Sequence, residues 1–250
     1  MGGPAVVIVS GGTAGIGRGI TIALAEAGWQ VIAFGPDARQ PGSTAADGVA
    51  ATRAALQARE LDAVLLDADV TVAADLERVV AAARATDRPV RGLVNNAAIR
   101  PRADVLHTDE ATWRRTLEVN LTGPFLLTTA ALPLLLDAGD AAIVNVGSAS
   151  AWGRPGLAAY AAAKGGLHGF SAALAYDLQP HGVRVNLVVP GRVHTGMIDD
   201  TFPAGDIAPG RYPVTPADVA AAVVYLLSAA AARVNGAVLN VGGHLFQAGP

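Results

Sequence analysis

Tyr160 and Lys164 lie four residues apart in the alanine-rich run Tyr160-Ala161-Ala162-Ala163-Lys164. On a helix this spacing puts two side chains on one face, about 6 Å apart along the axis. A free tyrosine titrates near 10, too high for an efficient acid/base at neutral pH. A neighbouring ammonium favours the phenolate, and lowering the tyrosine by about 3 pH units takes roughly 4 kcal/mol of differential interaction. So short a motif also arises by chance, as a tyrosine packed on a helix beside an unrelated lysine. The lysine census argues against chance. Of 18 basic residues 17 are arginine, so a lone lysine placed at random among the basic positions would fall here about once in 18. Arginine and lysine differ in size, hydration and titration, so the chain uses an ammonium where one is needed. Ser148, in Asn145-Val146-Gly147-Ser148-Ala149-Ser150, follows an apolar run. At a strand's C-terminal end its hydroxyl can bond a substrate carbonyl; the alternative is a turn serine that caps a loop.

A second constellation is Ser10-Gly11-Gly12-Thr13-Ala14-Gly15-Ile16-Gly17. Gly11 permits a turn that other residues make only at a cost. Gly15 removes a side chain where a pyrophosphate must approach backbone, and Gly17 lets helix and strand pack closely. A helix opening here offers unpaired N–H groups and a partial positive charge to phosphates. The spacing is GxxxGxG rather than the commoner GxGxxG, and by itself it also fits a tight turn with no ligand.

These residues need a scaffold, and the chain alternates apolar runs with amphipathic stretches. Strands are predicted at 5–10, 30–34, 63–67, 92–95, 142–147, 183–189 and 237–241. Helices are predicted over about 15–27, 49–59, 72–85, 109–136, 157–178 and 216–227. The strands read as continuous apolar runs, as expected when helices cover both faces. Alternating β and α with short connections implies a doubly wound parallel sheet in one α/β unit spanning 1–250. Residues 36–48 form one long loop. Residues 192–213, rich in Pro and Gly and without a period, read as a segment that covers the substrate.

The chain has 250 residues, 52% hydrophobic and 16% charged, and a formal net charge of −3. That composition supports a large core and argues against disorder. With no basic tract, nucleic acid is not expected as a partner. The absence of cysteine excludes disulfides, thiolate catalysis and cysteine metal sites. Five scattered histidines (His107, His168, His181, His194 and His244) show no ligand spacing, so no metal is expected. The first residues lack a basic segment and a long apolar run, and no stretch approaches the roughly 20 apolar residues that span a bilayer. A cytoplasmic protein with no membrane partner is the expectation.

Together these segments resemble the short-chain dehydrogenase/reductase family, in its single-domain branch, over essentially the whole chain. Besides the glycine turn, Asp69-Val70 resembles the pair that contacts adenine. Asn95-Asn96-Ala97-Ala98 resembles the NNAG segment, and Asn120 the catalytic asparagine. Ser148, Tyr160 and Lys164 complete a tetrad with Asn120. Pro190-Gly191 and Thr195 resemble the segment that holds the nicotinamide carboxamide. The resemblance implies a Rossmann-type seven-stranded sheet and hydride transfer between a nicotinamide cofactor and a ketone or secondary alcohol. Tyr160 would be the acid/base, and Lys164 would bind the nicotinamide ribose and lower the tyrosine pKa. Ser148 would orient the carbonyl and Asn120 would help hold a water in a proton relay. Cofactor contacts are expected at Gly11, Thr13, Gly15, Ile16, Gly17, Asp69, Val70, Asn96, Ala97, Ala98, Tyr160, Lys164, Pro190, Gly191, Val193 and Thr195. A homo-oligomer, dimer or tetramer, is implied, with helices 109–136 and 157–178 across a two-fold axis. Three positions depart from the family pattern. Ala98 replaces a glycine, eleven residues rather than twelve separate Ser148 from Tyr160, and Asn240-Val241-Gly242-Gly243 lacks an acid.

Relatives that use NAD place an acid at the end of the second strand. Here that place is Gly35, with Asp37 and Arg39 beyond. The missing acid and Arg39 lean towards NADP(H), whereas Ala14 leans towards NAD(H); the balance narrowly favours NADP(H). Trp152 is expected as an apolar wall of the substrate pocket. Arg154 or Arg100 can pair with a substrate carboxylate or serve a solvated or interface role, the latter favoured. Competing functions are a catalytically silent cofactor-binding sensor or scaffold and an epimerase-type reaction on the same fold. Hydrolysis through Ser148 is disfavoured because no GxSxG elbow surrounds it.

Overall fold

A computed structural model of the chain describes residues 5–36, 48–193 and 214–242. Seven strands, all parallel, form one sheet: β1 (Val6–Ser10), β2 (Gln30–Gly35), β3 (Val64–Asp67), β4 (Val90–Asn95), β5 (Ala141–Val146), β6 (Val183–Pro190) and β7 (Val238–Val241). Their spatial order is β3-β2-β1-β4-β5-β6-β7. The helices are α1 (Gly15–Glu26), α2 (Val49–Gln57), α3 (Ala73–Arg84), α4 (Glu110–Leu117), α5 (Gly123–Ala138), α6 (Ala158–Leu178) and α7 (Pro216–Leu227). This is the Rossmann-type doubly wound sheet expected from the alternation of the sequence.

The continuous apolar strands follow from burial on both faces. Along β1, Val6 and Ile8 point to the core shared with α3, α5 and α6, where Leu93, Leu127 and Ile143 also pack. Val7 and Val9 point to the opposite core, with Ile20 and Leu24 of α1 and Val219 and Val223 of α7. α7 is well specified locally: Pro216 opens it, and Thr215 and Asp218 cap each other's backbone N–H groups.

The helix predicted over 109–136 is a single helical run whose middle is a π turn at Glu118–Thr122, between α4 and α5. By length and composition the run Glu110–Ala138 could cross a membrane, contrary to the expectation that no stretch comes close. Its apolarity serves the interior: Leu127, Ala131 and Leu135 are fully buried in the sheet core.

A buried polar chain ties the sheet to α5 and α6 beneath the site. Asn95 Nδ2 donates to Thr128 Oγ1 at 3.1 Å and to Asn145 Oδ1 at 2.8 Å. Asn145 Nδ2 donates to Ser171 Oγ at 2.8 Å, and that hydroxyl donates to the Leu167 carbonyl at 2.6 Å. Unpaired buried polar groups cost about 1–3 kcal/mol each. Asn145→Ala, which takes one partner each from Asn95 and Ser171 and leaves a small cavity, is therefore expected to destabilise the fold by about 3 kcal/mol. Thermal unfolding should show a fall of about 6–12 °C; an unchanged Tm would mean that the chain contributes nothing.

Candidate active site

The strand order reverses between β1 and β4, and in parallel sheets the crevice beyond the strands' C-terminal ends at such a switch point holds the ligand. Two predicted segments meet there. The Ser10 hydroxyl accepts hydrogen bonds from the Asn96 and Ala97 amides at 3.0 and 3.1 Å. The Asn96 carboxamide donates to the Ser10 and Gly11 carbonyls at 3.0 and 3.1 Å. The glycine turn is thus held by the β4 end, with Ser10 as the hinge.

Steric space decides the glycines. Gly11 has φ +61°, and a Cβ there would lie 2.8 Å from Ala97 Cα. A Cβ on Gly17 would lie 1.9 Å from the Gly11 carbonyl oxygen. Ala14, extended, starts α1 without a side-chain cap, and the first turn carries no acid. The helix therefore presents amides and a positive dipole end to whatever lies above, as a dinucleotide's phosphates require. Thr13 faces the other way: its carbonyl accepts from Gly48 N at 3.0 Å and Thr52 Oγ1 at 2.8 Å. Ile16 packs partly into the core beside α7.

The tetrad residues come from three elements. Ser148 lies just beyond β5 and caps the 3-10 turn Ala149–Trp152, accepting from Ser150 N at 3.1 Å. Tyr160 and Lys164 lie on α6, with exposures of 7% and 2%. The Ser148 hydroxyl stands near enough to the Tyr160 phenol to favour its ionised form. Lys164 Nζ sits 5.8 Å from the centre of the Tyr160 ring and donates to the Val146 carbonyl at 2.9 Å. Asn120 occupies the π turn, fully buried; its Nδ2 donates to the Ile99 and Thr116 carbonyls at 2.9 and 2.8 Å. Its Oδ1 is buried and unpartnered among the described residues. π turns interrupt the i to i−4 ladder and recur at functional sites.

Electrostatics correct one sequence expectation. Lys164 does not dominate the tyrosine: in the protein alone burial pushes the Tyr160 phenol up, above its ordinary range. The Ser148 hydrogen bond and the charge of Arg100 oppose that rise. Burial also drives the Lys164 ammonium down to about 8. Both effects have one physical cause, the cost of a charge in a dry interior.

Other predicted residues fall as follows. Asp69 Oδ2 takes a hydrogen bond from Arg115 at 2.7 Å, and its Oδ1 takes the Thr71 hydroxyl at 2.7 Å. These contacts hold its carboxyl below the usual carboxylate value although burial opposes them. The Val70 and Val193 side chains are buried in the core, so only their backbones can face a ligand. Pro190 ends β6, and Gly191 N donates to the Val241 carbonyl at 2.8 Å. Ala97 and Ala98 follow β4, half-buried. Arg154 is exposed, as is Trp152. Thr195, Asp37, Arg39, Gly243 and nearly all of 192–213 lie outside the described residues.

Two features escaped the sequence reading. His168, one helical turn beyond Lys164, meets Trp152 edge-on with ring centres 4.9 Å apart. Burial and the Lys164 charge hold its imidazole below the usual range. The i, i+4 spacing from Lys164 was the available signal. Arg102 joins Arg100 and Arg154 near Tyr160, brought there by a bridge between Ala103 and Leu157 that no local pattern marks.

Residues 5–205 match the family described as short chain dehydrogenase. The chain belongs to the short-chain dehydrogenase/reductase family. It is 38% identical over 251 residues to 2-(S)-hydroxypropyl-CoM dehydrogenase 3 of Xanthobacter autotrophicus, covering 95% of each chain. Among solved structures, a variant actinorhodin polyketide ketoreductase with NADPH superposes with TM-score 0.86 at 31% identity, covering 97% of each chain. The 3-ketoacyl-(acyl-carrier-protein) reductase of Brucella melitensis, complexed with NADH, superposes with TM-score 0.86 at 28% identity, covering 98% of this chain and 99% of the other. This short-chain dehydrogenase/reductase is accordingly a nicotinamide-dependent oxidoreductase that acts on CH–OH and C=O groups.

Proposed function

We propose that the enzyme is an NADP(H)-preferring reductase of a small carbonyl compound in which Tyr160 gives the substrate oxygen its proton. The observation that supports this reading is a buried Tyr160 with Ser148 beside its phenol and the buried Lys164 ammonium 5.8 Å from the centre of its ring. Burial keeps the phenol protonated at neutral pH, the form that serves reduction. Ser148, whose position its own cap fixes, orients the carbonyl. Asn120 clamps the segment after β4 through Ile99 and offers Oδ1 to a relay water. Lys164 also holds the nicotinamide ribose.

The glycine turn fits a dinucleotide, because the α1 amides are uncapped and Gly11 and Gly17, closed in by Ala97 and the Gly11 carbonyl, keep the turn tight beneath them. When bound, the nicotinamide supplies the hydride. Gly11, Thr13, Gly15, Ile16 and Gly17 surround the pyrophosphate. Asp69 and Val70 border the adenine; Asn96, Ala97 and Ala98 line the ribose path. Pro190, Gly191, Val193 and Thr195 hold the carboxamide, with 192–213 covering the substrate. A Cβ on Gly35 would crowd Thr13 Oγ1, which disfavours at the end of β2 an acid that would repel a 2′-phosphate. We place the enzyme in the cytoplasm as a homo-oligomer, dimer or tetramer, with no nucleic-acid or membrane partner.

Absorbance at 340 nm with a panel of ketones tests the reading. Turnover is expected with both cofactors and a higher kcat/KM with NADPH. Equal values, or an NADH preference, would overturn the cofactor assignment; cofactor binding without turnover of any carbonyl would leave a sensor or scaffold.

A further inference from the structure

Three guanidinium groups gather where the chain gives no reason for cations to collect. The overall charge is negative, yet Arg100 stands within reach of the charges of Arg102 and Arg154 as well as of Tyr160. The fold brings them together: Ala103 N donates to the Gly156 carbonyl at 3.1 Å, and Ala103 and Leu157 pair as a short parallel bridge. That contact joins the segment after β4 to the segment before α6. Arg102 lays its stem across Gly156, where a Cβ would meet its Cγ at 3.4 Å.

Like charges at close quarters repel, and half-burying one adds a desolvation cost. Arg100 bears both: it is half-buried and feels Arg102 and Arg154. Among the described residues neither Arg100 nor Arg154 belongs to an ion pair. Asp104, the acid next to them in the loop, is bound to His107 Nδ1 at 2.7 Å. A guanidinium cannot discharge by losing its proton at working pH, so its remedy is an anion. Its planar fork matches a carboxylate or another oxyanion with two parallel hydrogen bonds.

We infer that the active site is built for an organic oxyanion, and that Arg100, flanked by Arg154 and Arg102, receives the anionic group of a substrate whose carbonyl meets Tyr160. This rests on the reading of Tyr160 as proton donor and names the substrate class of that same site. The negative group lies on the substrate itself, because Arg100 directly follows Ile99, whose carbonyl Asn120 holds at the site.

The test compares pyruvate, acetoacetate and 4-oxopentanoate, each with its methyl ester, and 2-oxopropylphosphonate with its dimethyl ester, as oxidants of NADPH. For the best-fitting pair the wild type should prefer the anion by at least about tenfold in kcat/KM. Arg100→Ala should lower that anion-to-ester ratio by at least about tenfold, with Arg100→Lys recovering part of it. Arg154→Ala should lower it by a smaller factor. Taking the ratio cancels any effect of Arg100 on the Tyr160 proton, which both partners of a pair share. Rising ionic strength should raise KM for the anion and not for the ester. Ratios that stay within twofold in Arg100→Ala and Arg154→Ala, or a preference for esters, would overturn the inference and leave the reductase reading intact. Such a result would assign the arginines to carboxylates of the chain itself. Failure of every anion and every ester would remove both readings together.

Discussion

Tyr160→Phe is expected to cut the kcat for carbonyl reduction by about 10²–10⁴-fold while leaving cofactor affinity within about twofold. The ring's packing survives the change, because the substitution deletes only the phenol oxygen beside Ser148. Lost with it is the proton donor proposed for the reaction. The direction of the phenol's displacement fixes the pH behaviour. Burial holds the group above its ordinary value of 10.0, so the acid form prevails across neutral pH. Reduction uses that form and should be flat through neutrality, declining only at strongly alkaline pH. Alcohol oxidation needs the phenolate and should climb steadily with pH over the same range. A Tyr160→Phe enzyme that keeps more than a tenth of the wild-type kcat would transfer the proton's origin to another group. A wild-type oxidation rate indifferent to pH would do the same.

Most of the scaffold was legible because its signals are local. The residues of β1 are all apolar or small and all buried. The start of α7 is set by Thr215, Pro216 and Asp218 within four residues. The glycine turn was readable because sterics at Gly11 and Gly17 leave no other residue room. The π turn at Glu118–Thr122 was not read although Pro124, which has no N–H for the Asn120 carbonyl four residues back, is a local signal for a break there. Features that depend on distant partners were not legible. Asn95 and Asn145 stand inside apolar strands, and only pairing β4 with β5 shows that their carboxamides satisfy each other. The arginine rim depends on a bridge between residues more than fifty positions apart. The electrostatics of Tyr160 were the least accessible. Sequence places Lys164 one turn away, but the ammonium is turned to the Val146 carbonyl and burial outweighs its attraction.

That turned ammonium makes a second large effect measurable. Lys164→Met should abolish reduction, with a loss of at least about 10²-fold, and yet raise the melting temperature at pH 7. The lysine is 2% exposed and its single recorded hydrogen bond goes to Val146. Burial drives it from 10.5 to about 8, which corresponds to about 3 kcal/mol of penalty on the charged form. Below about pH 8 folded and unfolded chains both carry the proton, and the folded state bears the whole penalty. Between about 8 and 10.5 the unfolded chain still holds a proton that the folded chain has released, so stability rises with pH. Methionine has nearly the same reach without the charge, and the Val146 carbonyl losing its donor returns about 1 kcal/mol of cost. The variant should therefore gain about 2 kcal/mol at pH 7, or about 4–8 °C in Tm, and the gain should fade towards pH 10. Lys164→Arg should not restore activity, because a larger and always charged guanidinium must enter the same dry space. A Lys164→Met protein that melts below wild type at pH 7, or whose advantage ignores pH, would show that the buried ammonium contributes to the fold; the gain as expected would mean that it is kept for catalysis against the fold's interest.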